Sequence, residues 1–330
     1  MTLEIILIIV GFILLIKGAD LLVEGASNIA KKFHIPEIVI GLTIVSIGTS
    51  MPELVVSLTS AIEGHPDIAI GNVVGSNMSN LFLILGLCAT INGLVFKKQT
   101  RLIENPVTLA SIILLLFFAN NNYQGKINVI TRIEGIFLLI GCMTFIIYNI
   151  VIAKRETYSN IESWITFNSN RNEKNYTVKA IICIILGIFG LKFGGDIIID
   201  NSVMVATKLG MSEKLISLTI LAVATSLPEL ITSVTAAIRR ENDMAIGNIL
   251  GSQIFNILLI IGASATIAPI TYSTSYNKEL ILLFLGATTL AILPYIGKKN
   301  KMIRISGLIY TAIYILYLSN LIYDNIKCNN

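Results

Sequence analysis

The sequence predicts an all-α polytopic membrane protein, with ten transmembrane helices in two inverted five-helix repeats. Three observations carry that prediction. Of the 330 residues, 54% are hydrophobic and only 13% charged, against about 25% charged in a soluble domain. The apolar residues fall in runs long enough to cross a bilayer as helix, which takes roughly 20 residues. Finally, the chain resembles itself. Displaced by 176 residues, segment 41–90 aligns with 217–266 without a gap, and 25 of those 50 positions carry the same residue. Equivalent spans lie five apart, an odd number, so they cross the membrane in opposite directions.

Taken in order, the first span, 3–30, begins MTLEIILIIVGFILLIKG. It lacks a basic n-region and a small-residue cleavage site, so it reads as a membrane helix and not a signal peptide. The second and third, 36–63 and 67–93, carry the first copy of the repeat. The fourth and fifth, 101–120 and 127–153, complete the first half. The connection 154–176, KRETYSNIESWITFNSNRNEKNY, is polar, rich in Asn and Ser and too short to fold alone. It reads as a mobile cytoplasmic linker, with Trp164 as an interfacial anchor. The sixth span, 177–206, is long like the first, and both carry polar residues in their second halves. The seventh and eighth, 212–238 and 244–270, hold the second copy, and the ninth and tenth, 277–297 and 302–323, end it. The chain thus divides into 1–153, the linker 154–176, and 177–330.

Charge sets the orientation. With the N-terminus outside, 16 Lys and Arg fall on the cytoplasmic side, including Lys31, Lys32, Lys97, Lys98, Arg239 and Arg240. Six fall outside: Lys126, Arg132, Lys208, Lys214, Lys278 and Lys327. Lys17 and Lys192 lie within spans. The positive-inside rule therefore puts both termini on the extracytoplasmic side. The net charge of +4 is modest and suggests no nucleic-acid partner. Cys88, Cys142, Cys183 and Cys328 show no CxxC spacing, and the first three sit in apolar runs, where Cys acts as a small hydrophobe.

The chemistry is concentrated where the copies agree best. "IGTSMPEL" at 47–54 returns as "VATSLPEL" at 223–230. A carboxylate near the bilayer centre costs about 2.5–3.5 kcal/mol. Two of them, Glu53 and Glu229, need compensation, and the spans around them hold no Lys or Arg away from their edges. A cation that is not part of the chain is the natural partner. Thr49 and Glu53 are four apart and share a helix face, as do Thr225 and Glu229. Pro52 and Pro228 lack an N–H, which frees the carbonyls of Gly48 and Ala224. Hard cations such as Na⁺ and Ca²⁺ take carboxylate, carbonyl and hydroxyl oxygens, and these stretches supply all three. The companion segments are "AIGNVVGSNMSN" (69–80) and "AIGNILGSQIFN" (245–256). Gly71 and Gly75, like Gly247 and Gly251, form a small-xxx-small face for close helix approach. Ser76 with Asn80, and Ser252 with Asn256, share a face and would add oxygens. Asn72 and Asn248 fit helix–helix hydrogen bonding better than ligation.

"GTSMPEL" with "GNVVGSNMSN", and "ATSLPEL" with "GNILGSQIFN", closely resemble the paired alpha repeats of sodium/calcium exchangers, members of the cation/Ca²⁺ antiporter superfamily. With only a short linker where some relatives hold a large cytoplasmic regulatory domain, the chain looks like a compact prokaryotic member. The resemblance implies ten helices in two inverted halves. It also implies cation binding between the second, third, seventh and eighth spans, and antiport of Na⁺ against Ca²⁺ by alternating access. Carried over by position, it implies ligands at Ser46 (backbone carbonyl), Thr49, Ser50, Glu53, Ser76 and Asn80. In the second copy it implies Ala222 (backbone carbonyl), Thr225, Ser226, Glu229, Ser252 and Asn256. The long first and sixth spans resemble the family's sliding gate pair; Gly11, Gly18, Gly25, Gly187, Gly190 and Gly194 suit close, movable contact. One departure stands out: exchangers often carry Asp where Asn256 stands, so this site has two formal charges. Coupling to H⁺ or K⁺, or another divalent cargo, is the alternative within the same fold. No resident cofactor is expected, with Na⁺ and Ca²⁺ as cargo, the plasma membrane as location and a monomer as the working unit. No P-loop, nucleophile elbow or phosphorylation motif suggests an enzyme.

The other polar residues have plainer readings. Asp20, Glu24, Asp196 and Asp200 are expected to be solvated or paired with Lys17 and Lys192; Lys192 and Asp196 have helical ion-pair spacing. His34 and His65 read as loop residues.

Overall fold

The computed structural model describes residues 2–33, 35–121, 128–164, 173–208, 222–296 and 300–329. The start of the expected seventh span (212–221), residues 165–172 of the linker, His34, Lys126 and Lys214 lie outside the described residues, as do the side chains of Trp164 and Cys328.

Helix α1 (Thr2–Phe33) is followed by α2 (Glu37–Thr49) and α3 (Met51–Ile62), which meet at a bend of 49°. Then come α4 (Pro66–Asn92), α5 (Thr100–Ala119), α6 (Arg132–Trp164) and α7 (Glu173–Lys208). The second copy is α8 (Ala222–Thr225), α9 (Leu227–Ile238) and α10 (Asn242–Ile267). Helices α11 (Asn277–Ile296) and α12 (Arg304–Asn329) end the chain. Among the described residues, 8 helices are long and apolar enough to cross a membrane, or 9 with the bent pair counted as one span. Helix α6 runs past the boundary expected at 153 because KRETYSNIESW contains neither Pro nor Gly to stop it.

The layers invert the soluble pattern. Helix α10 is enclosed over nearly its whole length, while α1, α6 and α12 turn most of theirs outward. Ile5, Ile9 and Ile13 of α1 and Ile136 and Ile140 of α6 are exposed, a surface that suits lipid and not water. Inside, Leu81, Phe82, Ile84 and Leu85 of α4 pack with Ile254, Phe255 and Ile257 of α10.

Helices α1 and α7 cross on glycines. A methyl added at Gly18 would lie 2.7 Å from the backbone nitrogen of Leu191, and one at Gly187 would lie 2.6 Å from that of Leu22. Only glycine allows so close a seam. The two helices are also joined at both ends, by an ion pair between Glu4 and Lys208 and a hydrogen bond from Lys32 to Thr177.

Two miniature antiparallel strand pairs join distant loops. β1 (Leu94–Val95) pairs with β4 (Lys301–Met302), and β2 (Val129–Ile130) with β3 (Ile270–Thr271). The 176-residue displacement carries Leu94 onto Ile270. Leu94 pairs with Met302 and Ile270 with Ile130, and all four side chains are fully buried.

Candidate cation site

The site begins with two broken helices. Ser50 leaves helical geometry at φ −85°, ψ 9°, and Ser226 does so at φ −86°, ψ 3°. Pro52 and Pro228 then fall in the first turn of α3 and α9. A helix's first N–H groups have no intrahelical partner anyway, so a missing one costs little there. The proline thus fixes where the new helix starts, and Glu53 and Glu229 sit in its first turn. That end of a helix carries partial positive charge and favours a carboxylate. Both glutamates are fully buried.

Helices α4 and α10 supply the rest. Each contains a wide, π-helical stretch, Ser79–Ile84 in α4 and Asn256–Ile261 in α10. Such insertions occur mostly at functional sites. Asn80 lies in the first and Asn256 opens the second. Nothing in the sequence pattern announced them.

The contacts fall into two clusters. In one, the Ser50 hydroxyl donates to Glu229 Oε1 at 2.8 Å and lies 3.0 Å from Ser252 Oγ. In the other, Ser76 Oγ is 3.5 Å from Glu53 Oε1, while Asn256 Nδ2 donates to Ser76 Oγ and Asn77 Oδ1, both at 3.0 Å. Ser252 and Asn256 are one turn apart on a single face of α10, so the clusters meet there. On the side chains the sequence singled out as ligands, five buried oxygens have no hydrogen-bond partner among the described residues: Glu53 Oε2, Glu229 Oε2, Asn80 Oδ1, Asn256 Oδ1 and Ser226 Oγ. Leaving a buried polar atom unpaired costs about 1–3 kcal/mol. Acceptor oxygens orphaned around two carboxylates are the donor set a hard cation takes. Among the described residues, no group of three His, Cys, Asp or Glu forms a metal cluster.

Thr49 and Thr225 enter less directly. The Thr49 hydroxyl donates to Asn248 Oδ1 at 3.2 Å, and that of Thr225 to Asn72 Oδ1 at 3.4 Å. Asn72 Nδ2 donates to Ser57 Oγ at 2.9 Å and Asn248 Nδ2 to Ser233 Oγ at 2.8 Å. The two asparagines therefore stitch helices together, as expected, and hold the threonines while doing so. The Ser46 carbonyl already accepts the Ser50 N–H at 3.0 Å. Ala222 opens α8.

The glycine faces divide. Gly247 and Gly251 lie against Gly41 and Ser46 of α2, as the small-xxx-small reading predicts. Gly75 meets nothing within 4 Å among the described residues. With Gly71, Tyr276, Tyr314 and Tyr317 it lines a cavity of about 290 Å³.

A second cavity, of about 200 Å³, is lined by Gly48, Thr49, Pro52 and Pro228 on one side and by Ile188 and Lys192 of α7 on the other. It lies between α7 and the two helix breaks. Lys192 makes no ion pair with Asp196 among the described residues; Asp20 pairs instead with Arg239 at 2.7 Å.

Comparison with known proteins places this geometry. A family model described as sodium/calcium exchanger protein matches residues 3–151 and 179–323. The chain is 34% identical to the putative antiporter CaxA of Alkalimonas amylolytica, covering 96% of this chain and 98% of that one. It is 30% identical to the sodium/calcium exchanger MaX1 of Methanosarcina acetivorans, covering 98% and 99%. A solved structure of the sodium-calcium exchanger NCX_Mj, soaked with Na⁺ and Sr²⁺, superposes with a TM-score of 0.80 at 28% identity, covering 96% of this chain and 98% of that one.

Proposed function

The chain belongs to the sodium/calcium exchanger protein family, and on that premise we propose that it is a secondary antiporter exchanging Na⁺ for Ca²⁺ across the plasma membrane by alternating access. The observation that carries this reading is the set of buried, unpartnered oxygens on Glu53, Glu229, Asn80, Asn256 and Ser226. Two buried negative charges penalise an empty site. Ca²⁺ and Na⁺ compete for the same oxygens, so one displaces the other. A neutralised site crosses the barrier as the gate pair moves; a bare, charged one does not. Obligatory exchange follows from that difference alone.

The ligands in this proposal are Glu53, Glu229, Asn80, Asn256, Ser50, Ser226, Ser76 and Ser252, with Thr49, Thr225 and the carbonyls of Ser46 and Ala222 completing the shell. The proposed architecture is ten helices in two inverted halves, 1–153 and 177–330, with both termini extracytoplasmic. The strand pairs support it. β1 and β4 lie in loops that the charge count puts inside, and β2 and β3 in loops it puts outside. Among the described residues, neither strand pair joins opposite faces.

The test is Ca²⁺ uptake into proteoliposomes loaded with Na⁺. A Na⁺ gradient should drive uptake, and Glu53→Gln or Glu229→Gln should abolish it. Uptake driven only by a pH gradient would replace Na⁺ with H⁺ as the coupling ion. Near-normal flux in both variants would reject the site.

A further inference from the structure

The contacts at the cytoplasmic end of the gate pair are one-sided. Three residues of α1 close on the turn between α9 and α10. Asp20 pairs with Arg239 at 2.7 Å. Lys31 Nζ and Ser27 Oγ reach Glu241 Oε1 at 2.9 and 3.0 Å. Lys31 also lies 3.9 Å from Glu37 at the start of α2. The turn they grip is fastened to the core from behind. Asn92 of α4 hydrogen-bonds the Ala237 carbonyl, and Lys97 pairs with Asp243 at 2.5 Å. Burial alone would raise the Glu241 carboxyl, but hydrogen bonds from Glu37, Lys31 and Ser27 and the charge of Lys31 outweigh it and hold the group below its ordinary value.

The internal repeat shows what the other face has in the same place. The 176-residue displacement carries Asp20 onto Asp196, Ser27 onto Val203 and Lys31 onto Thr207. Taken backwards, it carries Arg239 onto Glu63 and Glu241 onto His65. The mirror contact would set Asp196 against Glu63, carboxylate against carboxylate, where this face has Asp20 against Arg239. The mirror of Lys31 with Glu241 would be Thr207 with His65, which carries no acid–base pair. The fold is duplicated, and this fastening is not.

We propose that Asp20, Ser27 and Lys31, closing on Arg239 and Glu241, form an ionic latch that holds the gate pair against the core on the cytoplasmic face. The latch biases the exchange cycle toward the state open to the opposite face. This rests on the exchanger reading above. Contacts present in one state and replaced by repulsion in the other shift the equilibrium by their full difference. These positions touch no cargo; they set which side of the membrane the site visits more.

The test is side-specific. Ca²⁺ half-saturation is measured at each face in vesicles of known orientation, at low ionic strength where exposed pairs are least screened. Arg239→Ala and Asp20→Asn should lower half-saturating Ca²⁺ at the cytoplasmic face and raise it at the outer face, each by about threefold. The charge swap Asp20→Arg with Arg239→Asp should restore the original ratio. A fold defect would move both faces in one direction. A second readout needs no flux: spin labels at Glu24→Cys on α1 and Arg240→Cys on the turn, with Cys328→Ser. Arg239→Ala should add a longer-distance population. Absent Ca²⁺ flux in the unaltered chain, together with that added population, would sink the exchanger reading and keep the latch. Unchanged half-saturation ratios and unchanged distances, or failure of the swap to restore, would overturn the latch.

Discussion

Asn72 and Asn248 stand at matching places in the two copies and share two contacts, although Asn72 Nδ2 also donates to the Glu53 carbonyl at 3.2 Å. Each donates to a serine one helix away, and each accepts from the threonine that precedes the other copy's helix break. Ser50 and Ser226 match too, yet they differ. Ser50 donates to the glutamate of the opposite copy, while Ser226 Oγ is buried with no partner among the described residues. Likewise Asn256 donates twice, and Asn80 has neither side-chain atom bonded there. The asparagine network is scaffold, and scaffold keeps the symmetry of the duplication. The oxygens of the serine and asparagine ligands do not keep it.

The sharpest way to break that comparison is to remove the charges. Glu53→Gln and Glu229→Gln should each abolish Na⁺-driven Ca²⁺ uptake despite their different hydrogen bonds, because cargo neutralisation needs both. Substantial flux in one alone would make the asymmetry functional and not momentary. Next in size come the asparagines. Asn72→Ala and Asn248→Ala should lower the thermal midpoint in detergent by the same amount, each losing about 1–2 kcal/mol. Unequal losses would remove them from the scaffold. The serines should show a smaller and conditional difference. Without Ca²⁺, Ser50→Ala should cost about 1 kcal/mol and Ser226→Ala nearly nothing; with saturating Ca²⁺ the two costs should converge. The smallest effect concerns the latch. Because the Glu241 carboxyl is held below its ordinary value, its contacts persist as pH falls through the usual carboxylate range and are lost only in more acid solution. The Glu24–Arg240 label distance should therefore stay constant while pH falls through the usual carboxylate range and lengthen only below it.

Much of this was legible in the residues. Repetition of TS-x-PEL and GN-xx-GS located the glutamates, serines and asparagines, and the structure brings them onto the inner faces of the same four helical elements. The helix break itself was half-read. Pro52 and Pro228 signalled it, but the joint lies two residues earlier, at Ser50 and Ser226, because proline is tolerated inside a first turn. The crossing of Ser50 to Glu229 was not readable, since it joins residues 179 apart in different copies and no periodicity reports a tertiary distance. For the same reason Asp20 was expected to be solvated or paired with Lys17 or Lys192, when its partner is Arg239. The extension of α6 to Trp164 was missed because polarity was taken for irregularity.

The two small strand pairs have a consequence beyond bookkeeping of loops. β1 with β4 and β2 with β3 rivet the early part of the polypeptide to the late part, once near each surface of the membrane. With the glycine seam of α1 and α7, that makes three independent seals between the halves, none of which passes through the stretch joining them in sequence. Two polypeptides cut within 165–172 and expressed together should therefore recognise one another and reassemble into a working whole.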